Sequence, residues 1–312
     1  MLPLCMVLLP IVVEKQYIIH IIVMSSIMSV VAISWNLLSG YTGIFSFGHP
    51  AFFGLGAYTS ALLSIHLGLS PWITIFAGAI CAVLFSFVIA LPALRLSGAY
   101  VAVVTLAFML ILGHVCYNWE SLTNGPTGLT GIPTFTNFKL FGILVDFDGV
   151  SRVPFYYAIL IILGATTYVT YRIVNSRFGL HIMAIRERSE AAAAMGVKII
   201  SNKIAVFTIS SFFAGLAGAF YAHYILLLTP EVFGFPMMAN ILASTLIGGW
   251  GTLLGPALGA FILSFLTNYL KDLGDIHQFL YGAFLILSIF FMPKGLIESA
   301  HRLNSIFVRK SH

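Results

Sequence analysis

Apolar runs of about twenty residues, separated by short polar breaks, recur along almost the whole chain. Residues 17–38 are interrupted only by His20, several Ser and Asn36, and residues 71–94 and 99–118 carry no acidic or basic Lys/Arg side chain at all. Residues 155–171 and 204–228 are of the same kind. At about 1.5 Å per helical residue, each is long enough to approach or cross a hydrocarbon core of roughly 30 Å. Residues 2–13 form a shorter run ending at Glu14 and Lys15, which predicts either a minimal first helix or the latter half of a longer one. Residues 237–247 and 253–270 flank the sequence GGWGTLLGP, and residues 278–292 make the last run. The pattern predicts an all-α, polytopic transmembrane helical bundle of about 8–10 spans, with residues 1–312 as a single transmembrane domain. The N-terminus has neither a basic leader nor a small-residue cleavage site, so a cleaved signal peptide is not expected.

Two stretches break the helical pattern. Residues 39–56 read SGYTGIFSFGHPAFFGLG, too rich in Gly for an uninterrupted helix and too apolar for an exposed loop. A broken helix packed inside the protein satisfies both facts, with residues 57–67 expected to complete the span. The second stretch is GGWG at 248–251, whose flanking segments either cross twice or re-enter. Gly40-Tyr41, Gly48-His49-Pro50-Ala51 and Gly54 faintly echo Gly249-Trp250, Gly255-Pro256-Ala257 and Gly259, as in transporters built from duplicated halves. A small-residue patch, Ala214, Gly215, Ala217, Gly218 and Ala219, is expected to let helices approach closely.

One long segment is charged and helix-prone. Residues 175–203, NSRFGLHIMAIRERSEAAAAMGVKIISNK, carry Arg177, Arg186, Glu187, Arg188, Glu190, Lys198 and Lys203, and such a segment belongs in water. The longest polar connection, residues 119–154, holds Glu120, Asp146 and Asp148 among many turn residues, and is expected to fold over one face. Placing Arg95, the loop from Arg172 to Lys203 and the C-terminal tail inside puts 11 of the 15 basic residues there. The outside then holds seven acidic residues (Glu14, Glu120, Asp146, Asp148, Glu231, Asp272 and Asp275) against Lys15, Lys139, Arg152 and Lys271. This is the asymmetry of the positive-inside rule, and it predicts both termini in the cytoplasm, residues 119–154 as a periplasmic connection and residues 175–203 as a cytoplasmic loop.

Composition agrees: 60 % of residues are hydrophobic and 8 % charged, with mean hydropathy +1.02, which excludes a soluble globular domain. The net charge of +5 does not indicate nucleic acid, because the basic residues form no single face with interleaved aromatics. Cys5, Cys81 and Cys116 lie in apolar runs at spacings unrelated to metal or disulfide frameworks and are read as buried small hydrophobes. His20, His66, His114 and His223 show no metal spacing, and no metal or other cofactor is expected. No Asp or Glu sits in the middle of an apolar run, which counts against proton- or sodium-coupled transport and intramembrane aspartyl proteolysis. HExxH, GxSG and GxxxxGK[ST] are all absent, so the chain is not expected to be an enzyme or to bind ATP by a P-loop. A transporter powered from outside itself, or a passive channel, remains.

Glu190-Ala191-Ala192-Ala193-Ala194-Met195-Gly196 matches EAAxxxG, the opening of the loop motif by which permeases of ATP-binding cassette transporters dock on their ATPase subunits. With NLLSGYTGIFSFGHPAFFGLGAYTSALL, LRLSGAYVAVVTLAF, NWESLTNGPTGLTGIP, LIGGWGTLLGPALGA and MPKGL, in order over about residues 17–296, the chain resembles the LivM-type permeases of bacterial branched-chain amino-acid transporters. The resemblance implies an inner-membrane importer subunit for Leu, Ile and Val. Its implied partners are a second, LivH-like permease subunit, two cytoplasmic ATPase subunits and a periplasmic solute-binding protein, all within the lipid bilayer's reach and without nucleic acid. It further implies ATPase coupling through Arg186, Glu187, Glu190, Ala191, Ala192 and Gly196. Candidates for the solute pathway are the polar and glycine residues at the two breaks: Asn36, Gly43, Ser46, Gly48, His49, Tyr58, Asn240, Ser244, Gly249, Trp250 and Gly251. A broken helix offers free backbone N–H and C=O groups to an amino acid's carboxylate and ammonium. A urea or short-chain amide permease is the nearest alternative, and a passive channel the next.

Overall fold

The computed structural model describes residues 15–93, 96, 98–140, 143–147, 151–270 and 282–283. The first apolar run, Cys5, Arg95, the last run and the C-terminal tail lie outside them. Among the described residues, five helices are long and apolar enough to cross a membrane. They are α1 (Gln16–Asn36, continued by a wider π turn, Leu37–Tyr41), α3 (Pro71–Ala93), α4 (Ala99–Asn118), α6 (Val153–Val174) and α9 (Ile199–Ile225). Between them lie α2 (His49–Leu67), the short α5 (Glu120–Thr123), α7 (Arg177–Glu187) and α8 (Ser189–Ala194). Two shorter apolar helices, α10 (Phe235–Gly248) and α11 (Gly255–Leu270), follow α9. A two-stranded antiparallel hairpin, β1 (Phe138–Leu140) with β2 (Ile143–Val145), is carried on the connection after α5.

Two boundaries differ from the sequence pattern. The broken span restarts at His49, eight residues before the expected Ala57, because Gly48 and Pro50 together open a helix: proline is tolerated in the first turn, where its missing N–H has no partner to lose. Helix α9 starts at Ile199, inside the charged segment, so Lys203 lies in its second turn and the segment between spans is correspondingly shorter. Cys81 and Cys116 are free and half-buried rather than buried.

Helices in a bilayer gain little from the hydrophobic effect and associate through close packing and hydrogen bonds. Helices α2, α3 and α9 do this through glycine. A Cβ added at Gly56 would stand 2.0 Å from the Gly215 carbonyl oxygen, one at Gly78 2.4 Å from the Gly56 oxygen, and one at Gly218 1.9 Å from the Phe53 oxygen. The small-residue patch on α9 is therefore the seam on which α2 and α3 lie. Buried side-chain hydrogen bonds stitch the same helices. His223 Nδ1 bonds the Pro133 carbonyl at 2.8 Å, so Nδ1 is the protonated nitrogen and Nε2 faces the Ser60 and Thr74 hydroxyls as an acceptor, at 2.8 and 3.3 Å.

The connection after α4 closes one end of the bundle. Leu129 and Leu228 exchange backbone hydrogen bonds of 2.8 and 3.0 Å, and Phe135 and Phe147 are buried in an aromatic cluster with Trp72, Phe155 and Phe220. This matches the expectation that it folds over one face. At its close, the Arg152 backbone N–H donates to Gln16 Oε1, at the first residue of α1. The far end of α1, about 39 Å away along 26 residues, meets α7. Arg152, at the close of this connection, and Arg186 on α7 thus mark opposite ends of one spanning helix.

Candidate functional site

The end of α1 is where the sequence breaks converge. The π turn widens the helix at Leu37–Tyr41 and the chain then leaves through Gly43 at φ +73°, a left-handed conformation that favours glycine. Its last carbonyls find partners one by one. The Leu37 oxygen accepts from the Thr42 hydroxyl, the Leu38 oxygen from Ile44 N–H and the Ser39 oxygen from Gly43 N–H. The Gly40 oxygen accepts from the Arg186 guanidinium, which reaches it from the last turn of α7.

The second glycine turn lies against the first. Asn36, fully buried, accepts from Gly251 N–H through Oδ1 and donates to the Thr252 carbonyl through Nδ2, each at 2.8 Å. Gly249 and Gly251 take φ of +128° and +78° to make this turn. Trp250, 45 % exposed, turns its ring under the Arg186 guanidinium at 5.8 Å, a cation–π pair. The two echoing glycine motifs are therefore in contact through Asn36 and Arg186, residues from neither motif's glycines.

Seven residues beyond the π turn the chain is deeply buried at the start of α2. Ser46 caps locally, its hydroxyl accepting from Gly48 N–H at 3.1 Å while its carbonyl accepts from Trp35 Nε1 at 2.8 Å. His49 Nε2 lies 2.8 Å from Ser210 Oγ, and Ser210 donates its own proton to the Ser34 carbonyl at 2.6 Å. Ser210 can then only accept, so His49 carries its proton on Nε2 and presents Nδ1 as a buried acceptor with no partner. The first-turn N–H groups of α2 have no earlier helical carbonyl to bond.

Of the other pathway candidates, Tyr58 lies elsewhere, its hydroxyl on the Leu228 carbonyl at 3.3 Å and its ring stacked on Phe233. Ser244 is buried on α10 and bonds the carbonyl of Asn240, which is exposed. The structure thus gathers Asn36, Gly43, Gly249, Trp250 and Gly251 into one cluster and Ser46, Gly48 and His49 into a second. Tyr58, Asn240 and Ser244 belong to neither. It also adds residues the sequence pattern did not point to: Ser210 and Ser34 linked to His49, Thr105 accepting from the Phe47 N–H, and a line of aromatics, Phe45, Phe47 and Phe235, stepping from the break to the exposed start of α10. Serines inside apolar helices and phenylalanines in a membrane protein carry no local signal of such a role. Separately, a groove of about 410 Å³ opens between α4 and the turn at Pro230–Phe233, lined by His114, Tyr117 and Glu231 among apolar side chains.

The charged segment is two helices with two faces. Ser176 caps α7 by accepting from Gly179 N–H, and Ile182 and Ile185 bury its inner face, Ile182 in one apolar cluster with Leu37, Leu38 and Tyr41. Helix α8 ends in a Schellman pair: Gly196 N–H bonds the Ala193 oxygen at 2.9 Å, and Val197 N–H bonds the Ala192 oxygen at 3.0 Å, with Gly196 at φ +84°. Ala192 is buried, whereas Glu187, Arg188, Glu190, Ala191, Ala193 and Met195 are exposed. Of the six residues read as ATPase contacts, Glu187, Glu190 and Ala191 face solvent, Gly196 shapes the exit of α8, Ala192 is buried, and Arg186, itself exposed, turns its guanidinium onto Gly40 and Trp250.

Apolar spanning helices, broken segments buried among them and a charged helix pair seated beneath the breaks define a multi-pass membrane protein of the transporter class. The family model described as branched-chain amino acid transport system / permease component matches residues 17–289, and the chain belongs to that family. It is 30 % identical to the high-affinity branched-chain amino acid transport system permease protein LivM of Salmonella typhimurium, over 89 % of this chain and 69 % of that protein. The LivH permease of the same organism is 23 % identical over 88 % of this chain and 92 % of its own length. The nucleoside ABC transporter permease protein NupC of Lactococcus lactis is 25 % identical over 59 % of this chain and 60 % of its own. No solved structure matches the chain.

Proposed function

We propose that the chain is the permease subunit of an ATP-binding cassette importer of the bacterial inner membrane, translocating branched-chain amino acids delivered by a periplasmic binding protein. It pairs with a second, LivH-like permease, and two cytoplasmic ATPase subunits hydrolyse the ATP. The observation that carries this reading is the two-faced helix pair of α7 and α8. Its outer face offers Glu187, Arg188, Glu190 and Ala191 to a soluble partner, and its inner face seats on the turns where the spanning helices break. The likeness to LivM and LivH favours branched-chain amino acids over the nucleosides named for NupC. Residues 175–203 are then the cytoplasmic coupling loop, residues 119–154 the periplasmic connection, and both termini cytoplasmic. The contacts of Arg152 with one end of α1 and of Arg186 with the other support opposite sides for the two segments.

The solute passes the broken start of α2, where first-turn N–H groups and the free Nδ1 of His49 suit a carboxylate and ammonium, and Phe45, Phe47 and Phe235 suit an apolar side chain. In this conformation His49 is fully buried, so the path is closed at that level. The test is uptake of labelled leucine and labelled urea into cells lacking their own systems and supplied with the complete transporter. Leucine uptake lost on ATPase inactivation is the expected result. Urea uptake alone would replace the substrate class, and leucine uptake that survives ATPase inactivation would make the chain a channel.

A further inference from the structure

We infer that Arg186 is the positioning residue that makes the two glycine turns and the coupling helices move as one body; the inference rests on the importer reading above. Arg186 and Arg188 are both exposed. Arg186 nonetheless turns its guanidinium back onto the chain and makes two contacts with different elements. It donates to the Gly40 carbonyl, next to last in the π turn of α1, and its guanidinium covers the Trp250 ring between α10 and α11.

The site is built around this side chain. A Cβ at Gly43 would come within 3.1 Å of Arg186 Cγ, and one at Gly251 within 3.2 Å of its Nη1. Glycine at both positions leaves the corridor through which Arg186 reaches Gly40. A cation at a helix C-terminus and on an aromatic face is favoured twice over, and a planar guanidinium can do both at once where an ammonium cannot. The turns it touches are already fastened to each other by Asn36. Arg186 therefore adds a polar joint from both turns to α7, beside the apolar burial of Ile182 with Leu37, Leu38 and Tyr41. Glu187, Arg188 and Glu190 follow within four residues, so a push on that exposed face is delivered to the ends of α1, α10 and α11 together.

The experiment uses the full transporter, both permeases, ATPase subunits and binding protein, in proteoliposomes, and reads leucine uptake per ATP hydrolysed. Wild type without ATP-dependent uptake would overturn the importer reading itself, independently of Arg186. Given a working wild type, Arg186→Ala is expected to lower uptake per ATP by about tenfold or more. Arg186→Lys, which can still reach the Gly40 oxygen but cannot lie flat on Trp250, is expected to recover part of the loss. Trp250→Leu, which removes the ring and leaves the charge, should fall between wild type and Arg186→Ala. A merely structural arginine would lower assembled complex, hydrolysis and uptake in proportion, leaving the ratio unmoved. Should Arg186→Ala not assemble, the ratio is read from Arg186→Lys and Trp250→Leu alone. An unchanged ratio in every variant that assembles overturns the inference.

Discussion

Asn36 and Gly251, 215 residues apart, are joined by a 2.8 Å hydrogen bond from the Gly251 N–H to the Asn36 Oδ1. The other half of the same amide donates to Thr252, so one side chain satisfies two backbone groups of a turn that cannot satisfy them itself. Asn36→Ala leaves a donor and an acceptor partly buried and unpaired, at a cost of about 1–3 kcal/mol for each group. Asn36→Asp keeps the acceptor and loses the donor, and is expected to fall between. Gly40→Ala should reproduce the Asn36→Ala loss without altering the amide, because its Cβ would stand 2.1 Å from Oδ1 and evict it. Thermal unfolding of purified protein in detergent checks the order; Gly40→Ala as stable as wild type would sink the argument.

The glycine seam predicts sharply uneven costs for one substitution. Gly56→Ala, Gly215→Ala and Gly218→Ala each drive a methyl against backbone or Cβ atoms at 2.0, 2.5 and 1.9 Å, and backbone cannot step aside as a flexible side chain can. Overpacking of this kind costs about 1–3 kcal/mol. Gly164, in the middle of α6, meets nothing within 4 Å. Gly164→Ala should be neutral or stabilising by about 0.5–1 kcal/mol through helix propensity. Parallel unfolding of the four variants measures the contrast, and equal destabilisation at Gly164 would show that the seam is not what distinguishes them.

Much of this architecture is legible in the sequence because bilayer thickness imposes a length and an apolar composition on every span, and because Gly and Pro must mark where a buried helix breaks. The runs at 17–38, 71–94, 99–118 and 155–171 map onto α1, α3, α4 and α6 within a few residues. The small-residue patch on α9 maps onto the seam. Which broken segment touches which is a matter of tertiary structure, and no local pattern carries it. Arg186 reads as one more charge in a charged loop until its Gly40 and Trp250 partners are known. Ser210 reads as a tolerated serine until His49 is found beside it.

That last pair fixes a proton. His49 donates from Nε2 to a Ser210 oxygen whose own hydrogen is committed to Ser34. Ser210→Ala strands the imidazole N–H in a fully buried position and should cost about 1–3 kcal/mol. Replacing both partners by apolar groups removes the unpaired donor, so His49→Phe combined with Ser210→Ala should cost less than the two single losses added together. The coupling energy of such a double-mutant cycle is expected at about 0.5–3 kcal/mol. Strict additivity would mean that the two side chains do not depend on each other.

Gly196 separates the shape of the proposed coupling loop from the stability of the bundle. It is exposed and holds φ +84° at the end of α8, and a Cβ placed there meets nothing within 4 Å. The first cost of a substitution is therefore the left-handed backbone penalty of about 1–2 kcal/mol rather than a clash at Cβ. The chain can relieve that penalty by unwinding the Schellman turn at Ala192 and Ala193, which reorients α8 without disturbing the spans. Gly196→Val is accordingly expected to insert and unfold as wild type does while losing ATPase subunits on co-purification and, with them, most leucine uptake. Glu190→Arg reaches the same end by another route, since Glu190 is exposed and its reversal changes only the charge offered to a partner. Gly196→Asn is the discriminating control, because asparagine tolerates the left-handed region better than other non-glycine residues. It should retain more uptake than Gly196→Val. Equal losses from Asn and Val would place the effect in side-chain bulk at the docking face rather than in the turn.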